Sequence, residues 1–231
     1  MRPPLFLLMM FSMLFSAENP MVLQLTGVKT QHHYPNGVSK EVFIEREIPA
    51  SCLNVGIEIQ SIFSGDFAGK DVPKECQKSF VTVVGKAQPM IIEKGVQTVG
   101  EVEVLDFIKN KLGVLPLEYI LVDSRKRDWF KQMTIPSAVN IPYDEIEYDD
   151  KSPEDFERVV KLLNIQKVAN GYDFSHAKTA LFFCNGAWCV QSRVAIQKLI
   201  LMGYPKEKLL WYRGGLQDWL LFGFSVVKKA H

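Results

Sequence analysis

From about residue 91 the chain alternates two apolar rhythms, and that alternation restricts its fold more than any other feature. Leu105, Ile108 and Leu112 recur at helical spacing. Residues 119–122 form a short apolar run that ends in Asp123-Ser124-Arg125, and residues 137–142 read as extended. Ser152-Pro153-Glu154-Asp155 has the form of a helix start: a capping serine, proline at the first helical position and an acid three residues after the cap. The helix it opens places Phe156, Val159, Val160 and Leu163 on one face. Residues 179–183 make a run of buried-strand length, and residues 191–202 a helix with Ala195, Ile196, Leu199 and Met202 together, ended by Gly203. A further strand over residues 209–212, a Gly214-Gly215 turn and a last helix over 216–222 complete the series. Strands that alternate with helices imply right-handed crossovers. The expected fold is α/β, a mostly parallel central sheet with helices on both faces.

Such sheets bind ligands just beyond the carboxyl ends of their strands. Asp123-Ser124-Arg125 and the segment from Cys184 both fall at such ends. In Phe182-Phe183-Cys184-Asn185-Gly186-Ala187-Trp188-Cys189-Val190-Gln191-Ser192-Arg193, a cysteine follows a buried strand and a short loop leads into a helix. A loop that wraps back over the cysteine aims backbone N–H groups at its sulfur, and the helix N-terminus adds partial positive charge. Both favour the thiolate. The same segment also admits an inert buried cysteine, or half of a disulfide with Cys189.

The stretch from Tyr119 to Trp219 resembles a rhodanese domain. Three segments carry the likeness, in order. Ile120-Leu121-Val122-Asp123-Ser124-Arg125, with Trp129-Phe130 and Ile135-Pro136-Ser137-Ala138-Val139-Asn140-Ile141-Pro142, is similar to the family's Asp-x-Arg strand end and Ile-Pro-Gly-Ala-x-Asn-Ile-Pro segment. Phe182-Phe183-Cys184 with Ser192 and Ala195 follows. Leu210-Trp211-Tyr212-Arg213-Gly214-Gly215 with Trp219 resembles its Gly-Gly-x-x-x-Trp ending. The resemblance implies a sulfurtransferase. Cys184 would take sulfane sulfur from thiosulfate or polysulfide as a persulfide and pass it to a thiol or cyanide acceptor. The backbone of Asn185, Gly186, Ala187, Trp188, Cys189 and Val190 would cradle that persulfide, without a cofactor.

The sequence departs from the family in the loop. The usual glycine and arginine positions hold Ala187 and Cys189, and the loop is about two residues longer than usual. It carries no charge, so a cation for an anionic donor has to come from Arg125, Arg193 or Arg213. Arg213 is expected to pair with an acid such as Asp123 or Asp218. Trp188 either shields the sulfur or packs the loop onto the body. Cys189 is placed to attack the persulfide or to close a disulfide with Cys184. These features leave an alternative, a non-enzymatic sulfur-carrier or redox and interaction module built on the Cys184/Cys189 pair. A cysteine phosphatase of this fold needs an arginine six residues after the cysteine, where Val190 stands. A thioredoxin-type site needs two residues between its cysteines, not four. The four histidines show no metal-ligand spacing beyond the neighbours His32 and His33 and receive no role.

The N-terminal part reads differently. Arg2, an apolar stretch over residues 5–15 and Ser16-Ala17 form a secretory signal with cleavage after Ala17. That places the mature protein in a periplasm or outside the cell, with no membrane span after signal removal. Residues 18–90 read as a small β-rich region, with Pro35-Asn36-Gly37 as a turn, preceding a rhodanese-like domain over 91–231. Cys52 and Cys76 are a candidate structural disulfide in an oxidising compartment. The net charge of +1 gives no basic field for nucleic acid, so the expected partners are a small sulfur-containing anion and a thiol.

Overall fold

The computed structural model describes residues 27–45 and 88–228. Residues 1–17, read as a secretory signal, the Cys52/Cys76 pair and most of the N-terminal region expected to be β-rich lie outside the described residues. What is described there is a hairpin, β1 (Val28–His33) paired antiparallel with β2 (Ser39–Ile44). Its turn closes through the Gly37 N–H on the Tyr34 carbonyl at 3.0 Å. Gly37 takes φ +82°, a conformation that glycine adopts without steric cost.

The sheet has five strands: β3 (Gln97–Val99), β4 (Tyr119–Asp123), β5 (Val139–Asn140), β8 (Thr179–Phe183) and β9 (Leu209–Tyr212). Their order is β3-β9-β8-β4-β5 and every pairing is parallel. Between them lie β6 (Gln166–Val168) and β7 (Gly171–Asp173), a small antiparallel pair with no counterpart in the sequence reading. The helices are α1 (Glu101–Asp106), α2 (Arg127–Gln132), α3 (Pro153–Leu162), α4 (Gln191–Met202) and α5 (Gly215–Leu221). α1 runs on as a wider π-helical turn over Phe107–Leu112.

Strand alternation splits the core into two layers. Ile120, Val122, Ala180, Phe182, Leu209 and Trp211 face one side with Phe156, Val159 and Val160 of α3 and Ala195, Ile196 and Leu199 of α4. Leu121, Leu181, Phe183 and Tyr212 face the other with α1, Leu216 and Trp219 of α5, and Val28 and Ile44 of the hairpin. The hairpin is also bonded to the body: the Ser225 N–H donates to the Glu45 carbonyl at 2.9 Å, and the Glu45 N–H to Ser225 Oγ at 2.9 Å.

Two local expectations change. Ser152 precedes α3, but its side chain makes no capping hydrogen bond; Pro153 and the acids Glu154 and Asp155 mark the helix start instead. The extended segment over 137–142 contributes only two paired residues. Ser137 sits at φ +69°, held by its N–H on His32 Nδ1 at 3.2 Å and its hydroxyl on the Gln31 carbonyl at 2.9 Å. The hairpin thus stabilises a left-handed residue where the family pattern has glycine.

Candidate active site

Cys184 follows β8 directly, at the carboxyl end of the central strand of the sheet. Its backbone is fixed by the start of α5. The Leu216 N–H donates to the Cys184 carbonyl at 2.9 Å and the Gln217 N–H to that of Asn185 at 2.8 Å. That approach explains the second glycine of the Gly214-Gly215 pair. Gly215 takes φ +59°, and a Cβ there would stand 2.4 Å from the Cys184 oxygen and 2.7 Å from the Gly186 nitrogen.

The Cys184 side chain is 2% exposed. Ser192, in the first turn of α4, donates its hydroxyl to the Cys184 sulfur at 3.2 Å, and Trp211 on the adjacent strand donates Nε1–H to Ser192 Oγ at 2.9 Å. The thiol donates to the Cys189 carbonyl at 3.4 Å. Cys189, also buried, receives the Asn185 side-chain amide at 3.8 Å and lies 3.7 Å from Gln191 Oε1. The backbone N–H groups of Asn185 and Gln191 bear on its sulfur as well.

This arrangement corrects the expectation that the loop amides hold Cys184 as the thiolate. Burial pushes the Cys184 thiol well above its ordinary range, and the neighbouring Cys189 sulfur adds to the rise. Cys189 is the acidic member, lowered to about 7 chiefly by the hydrogen bond from the Cys184 thiol. Loss of a second proton would place two thiolates in one buried loop, which keeps Cys184 protonated.

The loop is pinned on both sides. Trp188 donates Nε1–H to Gln217 Oε1 at 2.7 Å, which packs the loop onto α5. Gly186 permits that contact, since a Cβ there would stand 2.7 Å from the same oxygen. Ala187 offers its carbonyl to the Gln88 N–H at 2.8 Å, and Val190 is 44% exposed.

The three candidate arginines are each engaged. Arg125 is buried and forks onto Asp123, with Nε 2.9 Å and Nη2 2.6 Å from the carboxylate oxygens. Its guanidinium, expected at the substrate, is held at the strand end by Asp123. Thr134 donates its hydroxyl to the same carboxylate at 2.8 Å. Arg213 does not pair with an acid: its Nε and Nη2 donate to the Gln88 carbonyl at 3.1 and 2.9 Å. Arg193 reaches Gln88 Oε1 at 3.4 Å, while its buried Nε has no partner. Gln88 thus ties the loop to two cations. Sequence reasoning missed it, because nothing local marks a lone glutamine about a hundred residues upstream. Ser192 enters the sequence reading only through the resemblance; its place in the first turn of the helix that follows the Cys184 loop is the local signal for it. No cluster with metal-ligand geometry occurs among the described residues.

A parallel α/β sheet with a buried cysteine ending its central strand, covered by a loop that opens a helix, defines the class. The rhodanese-like domain family matches residues 104–221, about half of the chain, and the chain belongs to that family. No curated protein shows a sequence match to it. Among solved structures, protein BH2092 from Bacillus halodurans is similar at 22% identity over 58% of this chain and 77% of its own, with TM-score 0.42. A rhodanese with anions from E. coli matches at 24% over 48% and 98%, with TM-score 0.32. A thiosulfate sulfurtransferase from Pseudomonas aeruginosa matches at 18% over 59% and 21%, with TM-score 0.37.

Proposed function

We propose that this chain is an exported sulfurtransferase that carries sulfane sulfur as a persulfide on Cys184, from polysulfide or thiosulfate to a thiol or cyanide. The observation that carries the reading is the pairing of Cys184, at the strand end, with an acidic neighbouring thiol and the Ser192 hydroxyl on its sulfur. Cys189, ionised near neutral pH, takes the Cys184 proton as the donor approaches. The Cys184 thiolate then attacks the outer sulfur of the donor. The donor S–S bond breaks and sulfite, or a shortened polysulfide, leaves with the electron pair. The Ser192 hydroxyl and N–H compensate charge on Cys184 in this step. An acceptor thiolate or cyanide removes the outer sulfur and returns Cys184.

Of the three arginines only Arg125 is neutralised by an acid; Arg193 and Arg213 donate to the neutral Gln88 beside the loop and keep their charge for an anionic donor, polysulfide or thiosulfate. The test is intact mass spectrometry of the reduced protein after polysulfide and, separately, thiosulfate. One added sulfur atom in the wild type, none in Cys184→Ser and discharge by cyanide is the expected result. No gain from either donor refutes the reading. Export is tested by the N-terminus of the protein recovered from its producing cells, expected at Glu18.

A further inference from the structure

We propose that Cys189 is a second catalytic thiol, which attacks the Cys184 persulfide within the loop, releases hydrosulfide and leaves a Cys184–Cys189 disulfide. This rests on the persulfide reading above and adds a sulfide-producing activity to it.

The geometry brings the attacking sulfur to the atom it must reach. The Cys184 sulfur, which becomes the inner atom of the persulfide, stands 3.4 Å from the Cys189 carbonyl, and the side-chain amide of Asn185 reaches the Cys189 sulfur at 3.8 Å, so the two free thiols lie together under one buried loop. Its approach is set by a loop whose ends and middle are fixed: Cys184 and Asn185 by the α5 amides, Trp188 by Gln217, Ala187 by Gln88. The Cys189 N–H closes the loop on the Gly186 carbonyl at 2.9 Å. Donors from Asn185 and Gln191 support negative charge on Cys189, while burial of Cys184 favours the neutral, protonated persulfide. A thiolate beside a neutral persulfide is the reactive combination for thiol–disulfide exchange.

The step balances. Cys189 first returns the proton it took from Cys184 to the outer sulfur of the persulfide, and the electron pair of the resulting Cys189 thiolate then forms the bond to Cys184 Sγ. The bond from Cys184 Sγ to the outer sulfur breaks, and the outer sulfur leaves with that pair and its proton as hydrosulfide. The sulfane sulfur is reduced by two electrons and the two cysteines are oxidised to the disulfide. An external dithiol restores the pair by exchange. Transfer to an outside acceptor and internal discharge then compete for the same persulfide.

The experiment uses the full reduced chain without oxygen, treated briefly with polysulfide and freed of excess reagent. Sulfide release and the mass of the tryptic peptide 179–193, which contains both cysteines, are followed without added thiol. The wild type is expected to release one equivalent of sulfide and yield that peptide two hydrogens lighter and resistant to alkylation. Cys189→Ser and Cys189→Ala, two variants of different polarity so that a folding defect in one does not decide the result, load more slowly and keep the added sulfur. Their sulfide release falls by more than ~10-fold, because an intramolecular attack has been removed, and added thiol restores it. The inference is overturned if these variants release sulfide as fast as the wild type, or if the wild type keeps the extra sulfur with both cysteines unlinked. In either case sulfur transfer through Cys184 stands. If no variant and no wild-type sample gains sulfur from polysulfide or thiosulfate, both readings fall, whether or not the disulfide closes.

Discussion

Replacing Gly215 with alanine tests how the fold aims Cys184. The new Cβ would lie 2.4 Å from the Cys184 carbonyl oxygen, 2.7 Å from the Gly186 nitrogen and 3.0 Å from the Asn185 carbonyl carbon. All three are backbone atoms, so no flexible side chain can move aside. The residue also sits at φ +59°, where an L side chain costs about 1 kcal/mol or more. Relief requires the loop to retreat from α5, which stretches the bonds from the Leu216 and Gln217 amides to Cys184 and Asn185. Each such bond contributes about 1 kcal/mol. The expected loss is therefore about 3 kcal/mol, a large share of the 5–15 kcal/mol that holds a domain together. With a slope of about 2 kcal/mol per molar urea, the midpoint drops by roughly 1.5 M. Unfolding followed through the fluorescence of the buried Trp211 and Trp219 reads that shift directly. Persulfide loading at low temperature, where the variant stays folded, is expected to slow because Cys184 is displaced from Ser192. A midpoint within about 0.3 M of wild type, together with unchanged loading, would refute the account of the glycine pair.

Further expectations follow from the same contacts. Ser192→Ala removes the hydroxyl from the Cys184 sulfur and leaves Trp211 Nε1 buried without its partner; stability falls by about 1–3 kcal/mol and loading slows, measured by urea unfolding and mass spectrometry. Asp123→Ala strands the buried Arg125 guanidinium and should cost about 3–5 kcal/mol in the same unfolding assay. His32 is held down to about 4, first by burial and then by its neighbour His33. Its native form is therefore neutral while the unfolded chain takes a proton below 6.5, so its contribution is complete above pH 6.5 and is lost as pH falls through 4. Between pH 7 and 4 the wild type should lose up to about 2 kcal/mol more than His32→Gln, after allowance for solvent screening. Alkylation of the loop thiols by iodoacetamide should rise with a midpoint near pH 7 in the wild type, and that midpoint should move upward in Cys189→Ser.

The order of the strands and helices was legible along the chain because strand and helix periodicities are local. Ala180, Phe182 and Ala195, Ile196, Leu199 mark their faces through residues two, three or four positions away. The placement of Cys184 at a strand end was legible for the same reason. The short sheet segments were not: β3, β6 and β7 have three residues each, too few to show a period. The relations that make the site chemical connect residues distant in sequence. Trp211 meets Ser192 because β9 lies beside β8, and Gln88 meets Arg193, Arg213 and Ala187 because the chain before β3 crosses the loop. Gly215 needs its missing Cβ only because Cys184 comes that close. The sequence by itself determined an α/β sheet with a cysteine at the end of a strand and a second thiol nearby. The tertiary structure decided which thiol is acidic, since ionisation depends on burial and on which donors face each sulfur. It also decided where the arginines spend their charge, because that depends on which strand ends and loops are packed together.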